Sequence, residues 1–230
     1  MLIHGLQKMT LLDFPGHVAC TVFLGGCDFR CPFCHNFELA ENSSPAVMTD
    51  EEFFSFLKKR SGLLDGVAVT GGEPCLTREL PDLLGRCRDM GFLTKLDTNG
   101  NHPKMLRNIL EQGLADYVAM DIKNSPGKYA LTAGVKAVDM GRIRESIALL
   151  TESGTDYEFR TTVVRELHEE DDFRQIGGMI AGAKRYFLQS FTDRDTVPYG
   201  GFSSPDRGSL ERFAAAAREY VPATALRGAD

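Results

Sequence analysis

Two periodicities alternate along the 230-residue chain. Short apolar runs of β type give way repeatedly to longer stretches whose apolar residues recur every three or four positions, the spacing of a helix with one buried face. The first run, His17 to Leu24, ends in Gly25-Gly26. Thr49 then caps a helix from Asp50 to about Arg60, with Asp50, Glu51 and Glu52 in the first turn, where carboxylates suit the positive end of the helix dipole. Gly66 to Thr70 is a second strand, Arg78 to Met90 a helix stopped by Gly91, and Phe92 to Asp97 a third strand. Pro103 starts a helix that ends at Gly113, and Tyr117 to Asp121 is a fourth strand. A helix from about Gly141 to Ser153, a strand from Tyr157 to Val164, a helix from about Asp171 to Ala183 and a strand from Arg185 to Gln189 follow, and Ser209 to Tyr220 is the last helix.

Six strands alternating with six helices predict an α/β fold with a parallel sheet and right-handed crossovers, either doubly wound or an unclosed barrel. No repeat, low-complexity tract or linker interrupts the alternation, which predicts a single domain over residues 1–230. In both architectures ligands bind at the carboxyl ends of the strands. The polar signatures fall there. Three cysteines follow strand one, and Gly71-Gly72-Glu73-Pro74 follows strand two. Asp97-Thr98-Asn99-Gly100 closes strand three, Asp121-Ile122-Lys123 closes strand four, Arg160 lies in strand five and Gln189 ends strand six.

Cys27, Cys31 and Cys34 have C-x3-C-x2-C spacing, so three thiols can curl round one inorganic cluster. Ferredoxin-type clusters take four thiolates. Three leave one iron open, and an open position marks a catalytic metal site. The same residues also fit a c-type haem attachment through Cys31-Pro-Phe-Cys34-His35, which needs export. A zinc site of Cys27, Cys31, Cys34 and His35 would require two adjacent residues to reach one ion. A thioredoxin-like pair would leave Cys27 unused.

The net charge of −6 and pI near 5.4 argue against a nucleic-acid surface, which would want a basic face. No apolar run approaches a membrane span and the first residues carry no export pattern, so a cytoplasmic protein with reduced cysteines is expected. Cys20, Cys75 and Cys87 then read as small buried hydrophobes, and His4, His17, His102 and His168 as structural or surface residues. His35 is near the cysteines, but Asn36 beside it suggests the start of a helix or turn.

The rim inventory suits a ligand with a carboxylate, an amine and hydroxyls. Gly71 and Gly72 let backbone approach a ligand where a Cβ would collide. Glu73 is placed to accept from an ammonium, Asp97, Asp121 and Asn99 to bond an amine or hydroxyls, and Lys123 and Arg160 to offset a carboxylate. Each alone is ordinary turn or surface chemistry; their placement on one rim is what counts. The Lys123 to Asp139 segment either borders the mouth of the site or is a surface excursion, and Asp13 to Gly16 is a second candidate wall.

The cysteine motif, with aromatic Phe33 before its last thiol, resembles the signature of the radical S-adenosylmethionine (SAM) enzymes, and Gly71-Gly72-Glu73-Pro74 resembles their methionine-amine motif. Asp13-Phe14-Pro15-Gly16, Cys34-His35-Asn36, Asp97-Thr98-Asn99-Gly100 and Asp121-Ile122-Lys123 narrow the resemblance to glycyl-radical-enzyme activases of the compact kind that serves anaerobic ribonucleoside-triphosphate reductase. It runs from about Leu6 to Gln189.

The resemblance implies a partial (β/α)6 TIM-like barrel and a [4Fe-4S] cluster on Cys27, Cys31 and Cys34 whose free iron chelates S-adenosylmethionine. It places Phe33 near the adenine, Gly71, Gly72 and Glu73 at the amine, and Asp97, Asn99, Asp121, Lys123 and Arg160 at amine, carboxylate or ribose. Related activases carry a histidine near the end of strand six; here Gln189 stands as the substitute. No cysteine falls between Cys34 and Cys75, so one cluster is expected. The implied reaction forms a 5′-deoxyadenosyl radical that takes hydrogen from a glycine of a partner glycyl radical enzyme, with a flavodoxin- or ferredoxin-like electron donor. Rival readings are radical SAM chemistry on another peptide or small molecule, and a non-enzymatic iron–sulfur or zinc module.

Overall fold

The computed structural model describes residues 1–228. In chain order its first elements are β1 (Leu2–Ile3), β2 (Gly5–Thr10), β3 (Ala19–Leu24), α1 (Phe37–Ala40), β4 (Met48–Thr49) and α2 (Asp50–Lys58). The middle of the chain forms β5 (Gly66–Gly71), a 3-10 turn (Pro74–Leu76), α3 (Leu80–Asp89), β6 (Leu93–Thr98), α4 (Pro103–Glu111) and β7 (Tyr117–Asp121). Then come α5 (Tyr129–Thr132), α6 (Met140–Glu152), β8 (Asp156–Val163), α7 (Glu170–Met179), β9 (Tyr186–Ser190), α8 (Arg207–Arg218) and β10 (Thr224–Arg227).

One eight-stranded sheet runs in the order β10-β9-β8-β7-β6-β5-β3-β2, with β1 and β4 in a separate antiparallel pair. Every neighbour in the large sheet is parallel except β2 with β3. The end strands β2 and β10 are not paired with each other, so the barrel stays open between them. The six parallel strands expected from periodicity are β3 and β5 to β9. The two further strands of this sheet, which the pattern did not announce, are both edges. β2 is largely exposed and β10 only partly buried, so neither needs the strict alternation that burial imposes on a central strand.

Side chains alternate between the two faces of each strand. Val22, Val69, Leu96, Val118, Phe159 and Leu188 point to the helices and share one core with Phe53, Leu84, Leu106, Ile147, Ile176 and Phe213. The opposite parity faces the barrel interior. At the amino ends of the strands Ala19, Tyr117 and Ala119 enclose Phe14, with Leu93 against them. Asp13, beside it, accepts from Thr21 Oγ1 at 2.6 Å. The Asp13 to Gly16 turn therefore plugs the floor, at the end of β3 away from the cysteines, and does not wall the mouth. Among the described residues no helix is long and apolar enough to cross a membrane.

The helices start where local chemistry dictates. Thr49 Oγ1 accepts from the Glu52 amide at 3.3 Å while the Glu52 carboxylate accepts from the Thr49 amide at 2.8 Å, a reciprocal cap that fixes α2. Cys20, Cys75 and Cys87 are buried as expected, at 0%, 4% and 0% exposure.

Candidate functional site

The cysteine loop leaves β3 and is tied to the turn after β5 by main-chain bonds. Gly72 N–H donates to Leu24 O at 2.9 Å and Glu73 N–H to Gly26 O at 2.7 Å. Asn36 Nδ2 adds a bond to Gly71 O at 3.1 Å. This contact explains the glycines differently from the sequence expectation. A Cβ on Gly71, whose φ is +126°, would lie 2.2 Å from Leu24 O, and one on Gly72 would lie 2.0 Å from Gly26 O. The close approach they permit is between two backbone segments, and it brings the thiols beside Glu73.

Glu73 is 1% exposed and already accepts three bonds, from Cys75 N at 2.9 Å, Thr98 Oγ1 at 2.8 Å and Asn99 N at 2.6 Å. A carboxylate has about four acceptor sites. Most of its capacity thus holds the rim together, leaving one site on Oε2 for a ligand donor. Burial raises its pKa, against the pull of these bonds.

A band of charge crosses the interior beneath the thiols. Arg160 Nε donates to Asp121 Oδ1 at 3.1 Å and its guanidinium lies 3.4 Å from Asp97 Oδ2. Lys123 Nζ donates to Asp121 Oδ2 at 2.9 Å, and Lys95 Nζ pairs with Asp97. Burial alone would raise both carboxyls. The Lys123 and Arg160 charges hold Asp121 at about 2, and those of Arg160 and Lys95 hold Asp97 below the usual range. The two carboxylates are thus matched by three side-chain cations. Lys95, 2% exposed, was not singled out in the sequence, yet its parity with Asp97 on β6 was the available signal. A second interior pair was also missed: Glu158, 1% exposed, accepts from Arg227 at 2.7 and 2.8 Å and from Tyr117 Oη at 2.7 Å.

All the expected site residues line one cavity of about 270 Å3: Cys27, Phe33, Cys31, Cys34, Gly71, Gly72, Glu73, Asp97, Asn99, Asp121, Lys123, Arg160 and Gln189. Phe33 is 5% exposed and packs edge-on to Phe191 at 6.2 Å, while Gln189 stands at the exposed rim. The Lys123 to Asp139 segment borders the site: Arg30 N–H donates to Ala133 O at 2.8 Å, so α5 packs on the cysteine loop. His102, expected to be structural or at the surface, lies 3.0 Å from Asp28 Oδ2 of that loop. A larger, shallower groove of about 720 Å3, bordered by Leu110, Asp116 and Asp156, lies at the other end of the strands and contains none of these groups.

All three thiols are free. Burial pushes Cys27 up to about 12, Cys31 up to about 11, and raises Cys34, while the Lys123 charge pulls each back toward thiolate, the ligand form. Among the described residues no three Cys, His, Asp or Glu side chains converge closely enough to hold one metal ion. The thiols ring a cavity instead, which suits a polynuclear cluster and not a single zinc. His35, the fourth ligand of a zinc site, is engaged elsewhere: Nε2 donates to Thr192 O at 2.6 Å and the ring stacks on Phe191 at 5.6 Å. Soft thiolates around an open space fit an iron–sulfur cluster.

The signature of the Radical SAM superfamily matches residues 21–175. A Methanocaldococcus jannaschii protein provisionally described as a glycyl-radical enzyme activating enzyme is 28% identical over 98% of this chain and 95% of its own length. The pyruvate formate-lyase-activating enzyme of Clostridium pasteurianum is 35% identical over 53% of this chain and 52% of its own. Among solved structures, a domain of pyruvate-formate lyase-activating enzyme from Bacteroides vulgatus superposes with a TM-score of 0.59 at 18% identity, covering 71% of this chain and 99% of that one. Streptococcus suis SuiB bound to its precursor peptide gives 0.70 at 16% identity, over 90% of this chain and 48% of that one. These likenesses establish the partial TIM-barrel fold, and members of the family use a [4Fe-4S] cluster and S-adenosylmethionine. The matched segment carries every expected site position except Gln189, and the chain belongs to the radical SAM superfamily.

Proposed function

We propose that this protein is a glycyl-radical-enzyme activase whose partner is anaerobic ribonucleoside-triphosphate reductase, with a flavodoxin- or ferredoxin-like protein as electron donor and the cytoplasm as its compartment. The observation that carries the reading is the bonding of the thiol loop to the Gly-Gly-Glu turn around one cavity. The near full-length similarity to the M. jannaschii protein supports the activase class, and the motif resemblance supports the choice of partner. The sheet runs from Gly5 to Arg227, which supports reading the chain as one domain.

Cys27, Cys31 and Cys34 would hold the cluster. When bound, the cluster would supply the single electron for reductive cleavage of S-adenosylmethionine, the chemistry that ends in loss of a hydrogen atom from the partner's glycine. The chain's own groups bind and orient. The spare acceptor on Glu73, with Gly71 and Gly72 fixing its turn, takes the amine. Lys123 and Arg160 attract the carboxylate; both keep donors beyond those given to Asp97 and Asp121. Phe33 offers an apolar wall to the adenine, while Asn99 and Gln189 are placed for amine or ribose. Phe14, packed among Ala19, Tyr117 and Ala119, fills the floor of the barrel with apolar side chains.

Reconstituted, reduced protein given S-adenosylmethionine under strict anaerobiosis should release 5′-deoxyadenosine and, with the reductase present, produce a glycyl radical doublet in electron paramagnetic resonance. Cys31→Ala should lose the cluster absorbance and both products. Nucleoside release without a protein radical on any glycyl radical enzyme would retain the family chemistry and reject the activase assignment.

A further inference from the structure

Asp28 sits between Cys27 and Cys31, where no ligand role requires a carboxylate. Its side chain reaches across to the turn after β6. Oδ1 accepts from Asn99 Nδ2 at 2.9 Å, while Oδ2 accepts from Asn101 Nδ2 at 2.5 Å and lies 3.0 Å from His102 Nε2. Burial would raise this carboxyl, but the His102, Asn101 and Asn99 bonds hold it well below the usual range, and Asp28 in turn raises His102.

Asn99 is 6% exposed and is held from every side. Its amide N–H donates to Glu73 Oε2 at 2.6 Å, its Oδ1 accepts from Asn101 N at 2.9 Å, and its Nδ2 lies 3.9 Å from Cys27 Sγ. Asp28 supplies the oxygen that fixes Nδ2. Without it that end of the carboxamide keeps only a long sulfur contact, and the cysteine loop loses its carboxylate tie to the turn after β6. Hydrogen bonds to a charged acceptor are among the stronger ones in proteins.

We propose that Asp28, gripped by Asn101 and His102, is a positioning residue that holds the Asn99 carboxamide against Cys27 and the nucleotide cavity. It acts on S-adenosylmethionine through Asn99, touching neither cluster nor nucleotide, and it rests on the cofactor-site reading above.

The test is equilibrium S-adenosylmethionine binding to iron-loaded protein. Asp28→Ala should weaken binding about tenfold, the loss of one charge-assisted bond. Asp28→Asn keeps one oxygen for Asn99, and its NH2 can donate to the otherwise unpartnered Asn101 Oδ1 once that carboxamide flips, so affinity should stay within about threefold of wild type. Asp28→Ala in an Asn99→Ala background should add nothing, since residues acting through one another are non-additive. Wild-type affinity in Asp28→Ala, or losses that add in the double variant, would overturn the proposal. Should Asp28→Ala fail to retain iron, the Asn101→Ala/His102→Ala variant is read in its place, because it frees Oδ2 and leaves the cysteine loop intact. A several-fold loss there supports the role, and unchanged affinity overturns it. Failure of the wild type itself to bind would instead reject the cofactor site.

Discussion

Asp121 illustrates how one residue serves stability and site chemistry together. Its carboxyl is held at about 2, so the stabilisation it provides is complete above the ordinary carboxylate range and disappears as pH falls through that value. Asp97, also depressed, titrates in the same direction. Thermal melts of the apo protein should therefore lose ground between about pH 4 and pH 2. Asp121→Asn should melt lower at pH 6 yet decline less steeply below pH 4, and parallel curves for the two proteins would contradict this account. Glu73 makes a different demand. Glu73→Gln replaces an oxygen with an NH2 facing a donor, so it should cost about 2 kcal/mol in urea unfolding and also weaken S-adenosylmethionine binding.

At the scale of elements, the contact between the cysteine loop and the turn after β5 is the one least tolerant of change. Gly71→Ala forces a side chain toward Leu24 O at 2.2 Å in a left-handed backbone. A cost of about 3 kcal/mol is expected, a drop of roughly 6–12 °C in melting temperature for a chain of this size. The six central strands and their crossover helices were legible in the sequence because buried parallel strands must be apolar and because Thr49, Pro103, Gly91 and Gly113 punctuate the helices. The rim residues were legible too, since all but Arg160 close or directly follow a strand. What was not legible has a physical cause. β2 and β10 are edges with little burial, and Asp28, Asn101 and His102 meet only through the fold, about seventy residues apart in sequence. Glu158 and Arg227 are equally remote, and nothing local in either marks its partner.

Across the whole molecule, β10 completes the sheet and supplies the counter-charge for a carboxylate buried on β8. Arg227 also covers the Phe187 ring, 3.4 Å from guanidinium carbon to centroid. Arg227→Ala would strand Glu158 and should cost about 3 kcal/mol, whereas Glu158→Gln in the same background should recover part of that loss. Equal stabilities for the two variants would show that the carboxylate finds another partner. The main-chain bonds joining residues 24–26 to 72–73 have a broader consequence. They use amides and carbonyls of the polypeptide alone, so none of them needs iron as a partner and the cradle is expected to stand before the metal is loaded. Unlike a zinc finger, which is unstructured until its ion is delivered, this chain would receive its inorganic cargo as a finished vessel. Deuterium uptake at those amides should then be equally slow before and after loading.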